Sequence, residues 1–536
     1  MRLDAERGRR SQKQRPLLRR DVPIDDRRFD EECHDPHLNV GGERAESRRR
    51  VAGRVRDDAV GATVLGDTEA LDDALQELTL LVRNDAIGAD DGFDQQGDLF
   101  ALFDIHPTTL PDPDVLLAFA AHFRFAGNMF ASYADQLRAR AEAISSICVH
   151  AGDEPDATSR ALEPPLVLSS AYAFADAEHA AGAFRGDNDA FIYGRWKNPT
   201  VEQLEAKLAA LEGTESACAT ASGMAAVSGA ILALCDSGAH IVAPRSMYAE
   251  SARLLRERLP RFGITTTFVD GTDPAAYDAA ITDRTRVLYI ETPSNPNLRL
   301  TDIRAVVAIA RGQTDVVTLA DNTFATPFAQ TPHALGVDLV IHSLTKGLGG
   351  HGDAIGGVVC GTKALVGRVR DFSVKGLGGV LAPFNALLVS RGLRTFALRL
   401  EQSNRTAAKL AQVLAETDGV ARVHHPSRAD HPGHALARAQ MHAFGALLSF
   451  ELEASASASA IDRGRRVLEG VRLVTHAVSL GDARSLLSHP ASTTHSTMPK
   501  ADREAAGITD GLLRLSVGLE SESDLASDLV RAIRSA

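Results

Sequence analysis

Three things are scarce in this sequence of 536 residues, and each scarcity excludes a class of function. Cysteine is rare: Cys33, Cys148, Cys218, Cys235 and Cys360 are scattered with no paired spacing. That argues against a disulfide framework or a cysteine-rich zinc site and suits a reducing cytoplasm. There is no basic excess, because 58 Lys and Arg face 70 Asp and Glu for a net charge of -12. Nucleic acid is therefore not an expected partner. No apolar run approaches the length of a membrane span, and the N-terminus lacks the apolar core of a signal peptide. Neither membrane insertion nor secretion is expected, and a cytoplasmic location is. The histidine-bearing stretch S488-H-P-A-S-T-T-H495 lacks metal-ligand spacing with cysteines or carboxylates, so no metal is expected. What is present is an ordinary globular composition, 44% hydrophobic and 24% charged. Such a chain can bury a large core and has room for two to four domains.

The texture changes along the chain. Residues 1–128 are rich in Arg and Asp with little apolar periodicity and read as a poorly structured extension. Within them, residues 68–82 match one amphipathic helix and residues 88–99 a Gly/Asp-rich linker. No chemistry is visible there, and the working protein is expected to begin near Met129. Residues 129–190 read as a helix followed by a Pro-punctuated arm. Asn198-Pro199 then opens a helix that should end at Gly213. Strands are expected at 240–244, 264–270, 285–291, 316–321, 337–342 and 354–361, with helices between most of them. This rhythm over 191–385 indicates an α/β domain with a mostly parallel sheet, whose sites lie beyond the carboxyl ends of strands. Residues 386–536 read as a smaller α+β domain: one long helix over 384–414, then strands at 445–453, 471–480 and 512–520.

The rule about strand ends selects particular residues. Lys346 follows a continuous apolar strand in a turn that also carries Ser343 and Thr345. Semi-burial there can depress an amine toward neutrality, and the two short hydroxyls suit an anion. Ser222, Gly223 and Met224 open an apolar helix, where free N–H groups and the helix dipole favour phosphate, although close packing of small residues is the plainer alternative. Glu291 and Asn295 follow one strand, and Asp321 and Thr323 follow another. A carboxylate at such a place is costly without a cationic partner. Asp321 stands one strand–helix–strand step before Lys346, so the two can face one crevice; a helix N-cap is its plainer reading. Tyr248 lies just past a strand, and Tyr193 and Arg195 sit on a polar loop within reach of an anion, unless they are a packed tyrosine and a surface arginine. Arg514 alternates with apolar neighbours in a strand, where a bidentate carboxylate clamp belongs. A lysine amine, a carboxylate, a phosphate cradle and an aromatic together fit pyridoxal 5'-phosphate.

The motifs Y193-G-R-W-K-N-P-T, A221-S-G-M-A, E291-T-P-S-N-P, A320-D-N-T-F-A-T-P, H342-S-L-T-K-G, H489-P-A-S-T-T-H-S and R514-L-S-V-G-L-E carry a resemblance. From about residue 145 to its end the chain resembles the Cys/Met-metabolism (trans-sulfuration) family of pyridoxal-phosphate enzymes. That family holds cystathionine γ-synthase, cystathionine and methionine γ-lyases and O-acylhomoserine sulfhydrylases. The resemblance implies an aminotransferase-like fold, with Lys346 carrying the cofactor as an imine and Asp321 on its ring nitrogen beside Thr323. It implies Ser222, Gly223, Met224, Ser343 and Thr345 on the phosphate, joined by Tyr193 and Arg195 from a neighbouring subunit of a homotetramer built from catalytic pairs. It implies Tyr248 stacked on the ring, and Arg514 with Asn295 and Ser479 on the carboxylate of an amino-acid substrate, with Glu291 nearby. The reaction implied is γ-elimination giving 2-oxobutanoate, ammonia and a thiol; γ-replacement on an O-acylhomoserine is the alternative. Two positions depart from the family pattern: Gly194 replaces a Ser or Thr, and Tyr248-Ala249-Glu250-Ser251 replaces Tyr-Gly-x-Thr, which sets a charge near the substrate's distal end. Three rival readings are weaker. The S-x-x-K pattern at Ser343 has no S-D-N or K-T-G companion, the glycine run follows the lysine turn rather than opening a helix, and a DNA-binding regulator would need a basic recognition helix in the first 128 residues.

Overall fold

Seven strands hydrogen-bond in the order β1-β7-β6-β5-β4-β2-β3. They are β1 (Ser216–Thr220), β2 (His240–Pro244), β3 (Thr265–Val269), β4 (Thr285–Glu291), β5 (Val317–Asp321), β6 (Leu339–Ser343) and β7 (Gly357–Gly361). The computed structural model describes residues 133–536 apart from 157 and 497. The expected helix at 68–82, the linker at 88–99 and the start near Met129 lie outside those residues. Residues 130–536 form one compact unit.

The central strands form because their sequences are continuous apolar runs. In β4, Val287, Leu288, Tyr289 and Ile290 are all fully buried, as in a strand covered on both faces. Side chains alternate between two cores. Leu288, Ile290 and Val340 pack with the helices Tyr133–His150, Pro199–Glu212, Ile303–Arg311 and Pro383–Leu393. Tyr289, Leu319 and Ile341 pack with the helices Gly223–Leu234 and Lys363–Val369 on the other side. Strands β2, β4, β5 and β6 run parallel, and β7 alone is antiparallel to its neighbours. The expected mostly parallel α/β sheet is what forms. The helix at Pro199 starts where Asn198 Oδ1 accepts the N–H groups of Thr200 and Val201, at 3.0 and 3.3 Å.

A second sheet has the order β10-β11-β12-β9-β8. Its strands are β8 (Val420–His424), β9 (Leu447–Leu452), β10 (Thr475–His476), β11 (Leu486–Ser488) and β12 (Leu512–Ser516). Its core joins Phe450, Leu487, Leu513 and Leu515 to Leu525 and Leu529 of the last helix, Glu522–Arg534. The helix Phe396–Ala415 serves both cores: Phe396 and Leu400 face the large sheet's core, while Leu410 and Leu414 face the small one's.

Several expected elements differ. The single helix over 384–414 is two, Pro383–Leu393 and Phe396–Ala415. Arg399 reaches back across the break to Gly392 O at 2.9 Å. The strand expected at 471–480 shrinks to Thr475–His476. Asp528 takes the N–H groups of Arg472, Leu473 and Val474 at 2.8 to 3.0 Å, so they cannot join a ladder. Strand β6 starts at Leu339, two residues later than expected, because the Asp338 carboxylate accepts Thr318 N–H at 2.8 Å and its hydroxyl at 2.7 Å. Strands β1, β8 and β11 were not expected: S-A-C-A-T is too small and V-A-R-V-H too polar to read as buried strands.

One buried ion pair fastens the first helix to this frame. Lys207 has no exposed surface, and its ammonium donates to Asp153 Oδ2 at 2.8 Å and to Cys148 O at 3.0 Å. Removing one partner of such a pair costs about 3–5 kcal/mol. Lys207→Ala is expected to lower the urea midpoint accordingly and to expose the Tyr133–His150 helix to proteolysis. An unchanged midpoint would show that this pair does not hold the helix.

Candidate active site

Strand directions assemble the site. Strand β1 is antiparallel to β7, and β7 to β6, so β1 runs with β6, β5, β4 and β2. Their carboxyl ends therefore share one edge, which carries Thr220, Pro244, Glu291, Asp321 and Ser343. Ser222, Tyr248, Asn295, Thr323 and Lys346 follow those ends directly.

Lys346 sits in a tight turn. Its N–H donates to Ser343 O at 3.1 Å, and its carbonyl accepts Gly350 N–H at 2.8 Å. Arg399, a residue that strand-end reasoning does not select, grips this turn through Gly347 O at 3.0 Å and Leu348 O at 3.4 Å. Its only sequence signal is a charge inside the apolar pattern F-A-L-R-L. The Lys346 amine donates to Ser479 Oγ at 2.6 Å. Burial, helped by the nearby Arg514 charge, pushes it down to about 8. The amine therefore gives up its proton more readily than an ordinary lysine does.

A candidate phosphate cradle follows the ends of β1 and β6. Ser222 caps the Gly223–Leu234 helix by accepting Ala225 N–H at 3.1 Å. A Cβ on Gly223 would stand 2.9 Å from that of Ser343, so only glycine lets the helix start approach this strand end. Thr323 Oγ1 accepts Ser343 N–H at 2.9 Å, and Thr345 Oγ1 accepts Gly356 N–H at 3.2 Å. Met224 turns its sulfur to Ser251 Oγ at 3.7 Å, so it offers the cradle only its backbone.

Two carboxylates face each other across the sheet, because β4 and β5 pair Glu291 with Asp321. Burial pushes both carboxyls up; Asp321 raises Glu291 further, while Thr323 and His342 pull Asp321 back down. Among the described residues neither pairs with a lysine or arginine. Asp321 Oδ1 accepts Thr323 N–H at 3.0 Å. Glu291 Oε2 accepts Tyr248 N–H at 2.9 Å and Oε1 accepts Asn295 N–H at 3.3 Å. Both Glu291 oxygens are thus engaged with backbone N–H groups.

Arg514 comes from β12 in the small sheet. It is 8% exposed, and its Nη1 donates to Asn295 Oδ1 at 2.9 Å and its Nη2 to Ser479 O at 2.8 Å. Its buried Nε has no partner, and burial pushes the group down to about 10. No carboxylate pairs with it among the described residues. A guanidinium so placed is matched to an incoming carboxylate. Ser479, which touches both Lys346 and Arg514, holds a left-handed φ of 88°.

Tyr248 precedes the short helix Ala249–Arg253 and is 43% exposed. Burial of its hydroxyl, then the Glu250 charge, raises the phenol. Glu250 lies 3.9 Å from Arg253 Nη1 and 3.8 Å from Arg258 Nη2, all partly exposed. Tyr193 and Arg195 are not brought to this edge by any contact. Arg195 donates to Lys375 O and lies 5.6 Å from the Tyr193 ring centre, and neither touches Lys346, Asp321, Ser222 or Ser343. Gly194 between them has a local cause, since a Cβ would meet Ser169 O at 3.0 Å and Ser170 Cα at 3.3 Å.

These residues fit pyridoxal phosphate: an amine pushed down to about 8, and, among the described residues, a buried acid without a cation, a glycine-opened helix start and a guanidinium without an anion. Comparison with known proteins points the same way. Residues 145–534 match the model of the Cys/Met metabolism PLP-dependent enzymes. An L-methionine gamma-lyase of Fusobacterium nucleatum subsp. polymorphum is 40% identical over 391 residues, 73% of this chain and 98% of the relative. An O-succinylhomoserine sulfhydrylase of Pseudomonas aeruginosa is 39% identical over 368 residues, 69% of this chain and 90% of the relative. The crystal structure of metB from Corynebacterium glutamicum superposes with a TM-score of 0.68 at 33% identity, covering 73% of this chain and 98% of that one. With a cofactor site of this geometry and a match that runs through both sheets, the chain belongs to the Cys/Met-metabolism family of pyridoxal-phosphate-dependent enzymes.

Proposed function

We propose that this chain is a sulfur amino-acid γ-lyase of the methionine/cystathionine type, releasing 2-oxobutanoate, ammonia and a thiol. The observation that carries the reading is Ser479 joining the Lys346 amine to the Arg514 guanidinium. An α-amino acid whose carboxylate lies on Arg514 has its α-carbon beside that amine. When bound, pyridoxal phosphate supplies an electron sink that acidifies the α-carbon and then the β-carbon. Asp321, braced by Thr323, would keep the ring nitrogen protonated, while Ser222, Gly223, Met224, Ser343 and Thr345 would hold the phosphate. Lys346, pushed down to about 8 and so able to lose its proton far more readily than an ordinary lysine, would take up and return the protons. Tyr248 would lie against the ring and supply a proton to the departing sulfur.

Tyr193 and Arg195 are proposed to reach the phosphate of a second copy, in a homotetramer built from catalytic pairs. Large exposed side chains such as Phe184, Leu377 and Phe384, at 64, 61 and 53% exposure, support a covered surface. A cytoplasmic location agrees with Cys148, Cys218, Cys235 and Cys360 all being unpaired. Among the described residues no helix is long and apolar enough to cross a membrane. The second reading, γ-replacement on an O-acylhomoserine, is favoured by the similarity to the sulfhydrylase.

A substrate panel separates the two. Methionine and cystathionine are expected to yield 2-oxobutanoate without an added thiol; product only from an O-acylhomoserine plus thiol would replace elimination with replacement.

Lys346→Ala is expected to abolish both turnover and the visible absorbance of the bound cofactor. In the cofactor-free wild type, the rate of cofactor capture should rise with pH through about 8 as the amine loses its proton. Arg514→Gln removes a cation that favours the neutral amine, so the inflection should move up. An inflection that stays in place would show that Arg514 does not tune Lys346.

Arg514→Lys keeps the charge but loses the fork, and should lower kcat/KM for the amino acid by about 10- to 100-fold, the size of a charge-assisted hydrogen bond. Colour should persist. Unchanged kinetics would remove Arg514 from the substrate site.

A further inference from the structure

Glu291 ends β4, is 4% exposed, and points both oxygens at backbone N–H groups on opposite flanks of the site. One belongs to Tyr248, at the start of the helix that carries the stacking ring. The other belongs to Asn295, whose side-chain oxygen orients Arg514 Nη1 at 2.9 Å. Tyr248 and Arg514 come from different sheets, and through Asn295 this one carboxylate is tied to both. We propose that Glu291 is a positioning residue that fixes the spacing between the Tyr248 ring and the Arg514 guanidinium, and so sets substrate affinity without touching substrate. The proposal rests on the reading of Arg514 as the carboxylate clamp.

The chemistry of the side chain explains the choice of residue. A carboxylate offers two acceptor oxygens fixed in one plane, which two N–H groups arriving from opposite sides require. Glutamine has one acceptor and one amide nitrogen, and that nitrogen would face an N–H donor without bonding to it. Glu291→Gln therefore keeps one of the two ties and releases the other. The neighbouring Asp321 cannot stand in, because its Oδ1 already accepts Thr323 N–H at 3.0 Å.

The test uses the cofactor-loaded enzyme and the amino acid turned over fastest in the panel. In Glu291→Gln, KM is expected to rise about tenfold, the worth of one misplaced hydrogen bond. Cofactor stoichiometry and absorbance maximum should match the wild type. Combined with Arg514→Lys, the loss in kcat/KM should fall well short of the product of the two single losses, because the second change disrupts a geometry already lost. A residue that merely supports the fold would lower cofactor loading and kcat with KM unmoved, and that outcome overturns the proposal. So does a double variant whose loss equals the product of the single ones. Arg514→Lys with unchanged KM overturns the clamp reading and takes this proposal with it. A raised KM in Arg514→Lys beside an unchanged one in Glu291→Gln sinks the proposal alone.

Discussion

Asp321 and Glu291 stand opposite each other on neighbouring strands, buried, with no cation paired to either among the described residues. Arg514 is also buried, with no anion paired to it among the described residues. Isolated buried charges cost several kcal/mol each, even after relaxation. The frame meets that cost with dipoles. Thr323, Tyr248 and Asn295 lend backbone N–H groups to the acids, while Ser479 O and Asn295 Oδ1 receive the guanidinium. Charges held by dipoles rather than by each other keep their full attraction for an incoming ion. On the proposed reading, a pyridinium at Asp321 and a carboxylate at Arg514 would gain what an internal salt bridge would have consumed. Fixed donors and acceptors aimed at a reacting centre also need no rearrangement when charge develops there.

The same economy governs the lysine. Its turn is tied by its own backbone and from outside by Arg399, itself pushed down to about 10 by burial. From the small sheet, Ala483 N–H reaches Gly350 O at 3.0 Å and Gly481 N–H reaches Ser516 Oγ at 2.8 Å. The loop that carries Ser479 is therefore clamped to the lysine turn on one side and to β12 on the other. Small and large sheets meet at the reacting amine, so a shift between them would be felt first in the Lys346–Ser479 contact.

Much of this was legible in the sequence because the chemistry sits where pattern is strong. Continuous apolar runs revealed β2, β4, β5 and β6, and the rule of strand ends then selected Asp321 and Lys346 without any family knowledge. Elements built from small or polar residues escaped: β1 forms because β7 pairs with it, and S-A-C-A-T alone carries no such signal. The strand expected over 471–480 failed for a reason 54 to 56 residues away, the Asp528 carboxylate that claims its amides. Glu291 shows the limit most clearly. Its place at a strand end was readable, but which atoms its oxygens meet depends on how the Tyr248 and Asn295 segments fold back over β4. Arg399 was invisible because a buried arginine whose partners are carbonyls looks, in one dimension, like a solvated helix charge.

Tyr193 and Arg195 pose a different question, since their motif is as plain as any other and yet no contact joins them to the site. Arg195 makes no ion pair among the described residues; its partners are a carbonyl and the face of Tyr193. The described residues give this guanidinium no anion, and the Gly223 helix start offers phosphate neutral N–H and hydroxyl donors. On the proposed reading both deficits are met by one arrangement, in which each copy lends Arg195 to the phosphate held by the other. Phosphate binding and association would then be linked. Cofactor would stabilise the pair by mass action, and a chain that lost its partner would lose grip on the phosphate before losing the Lys346 amine, which its own fold holds in place.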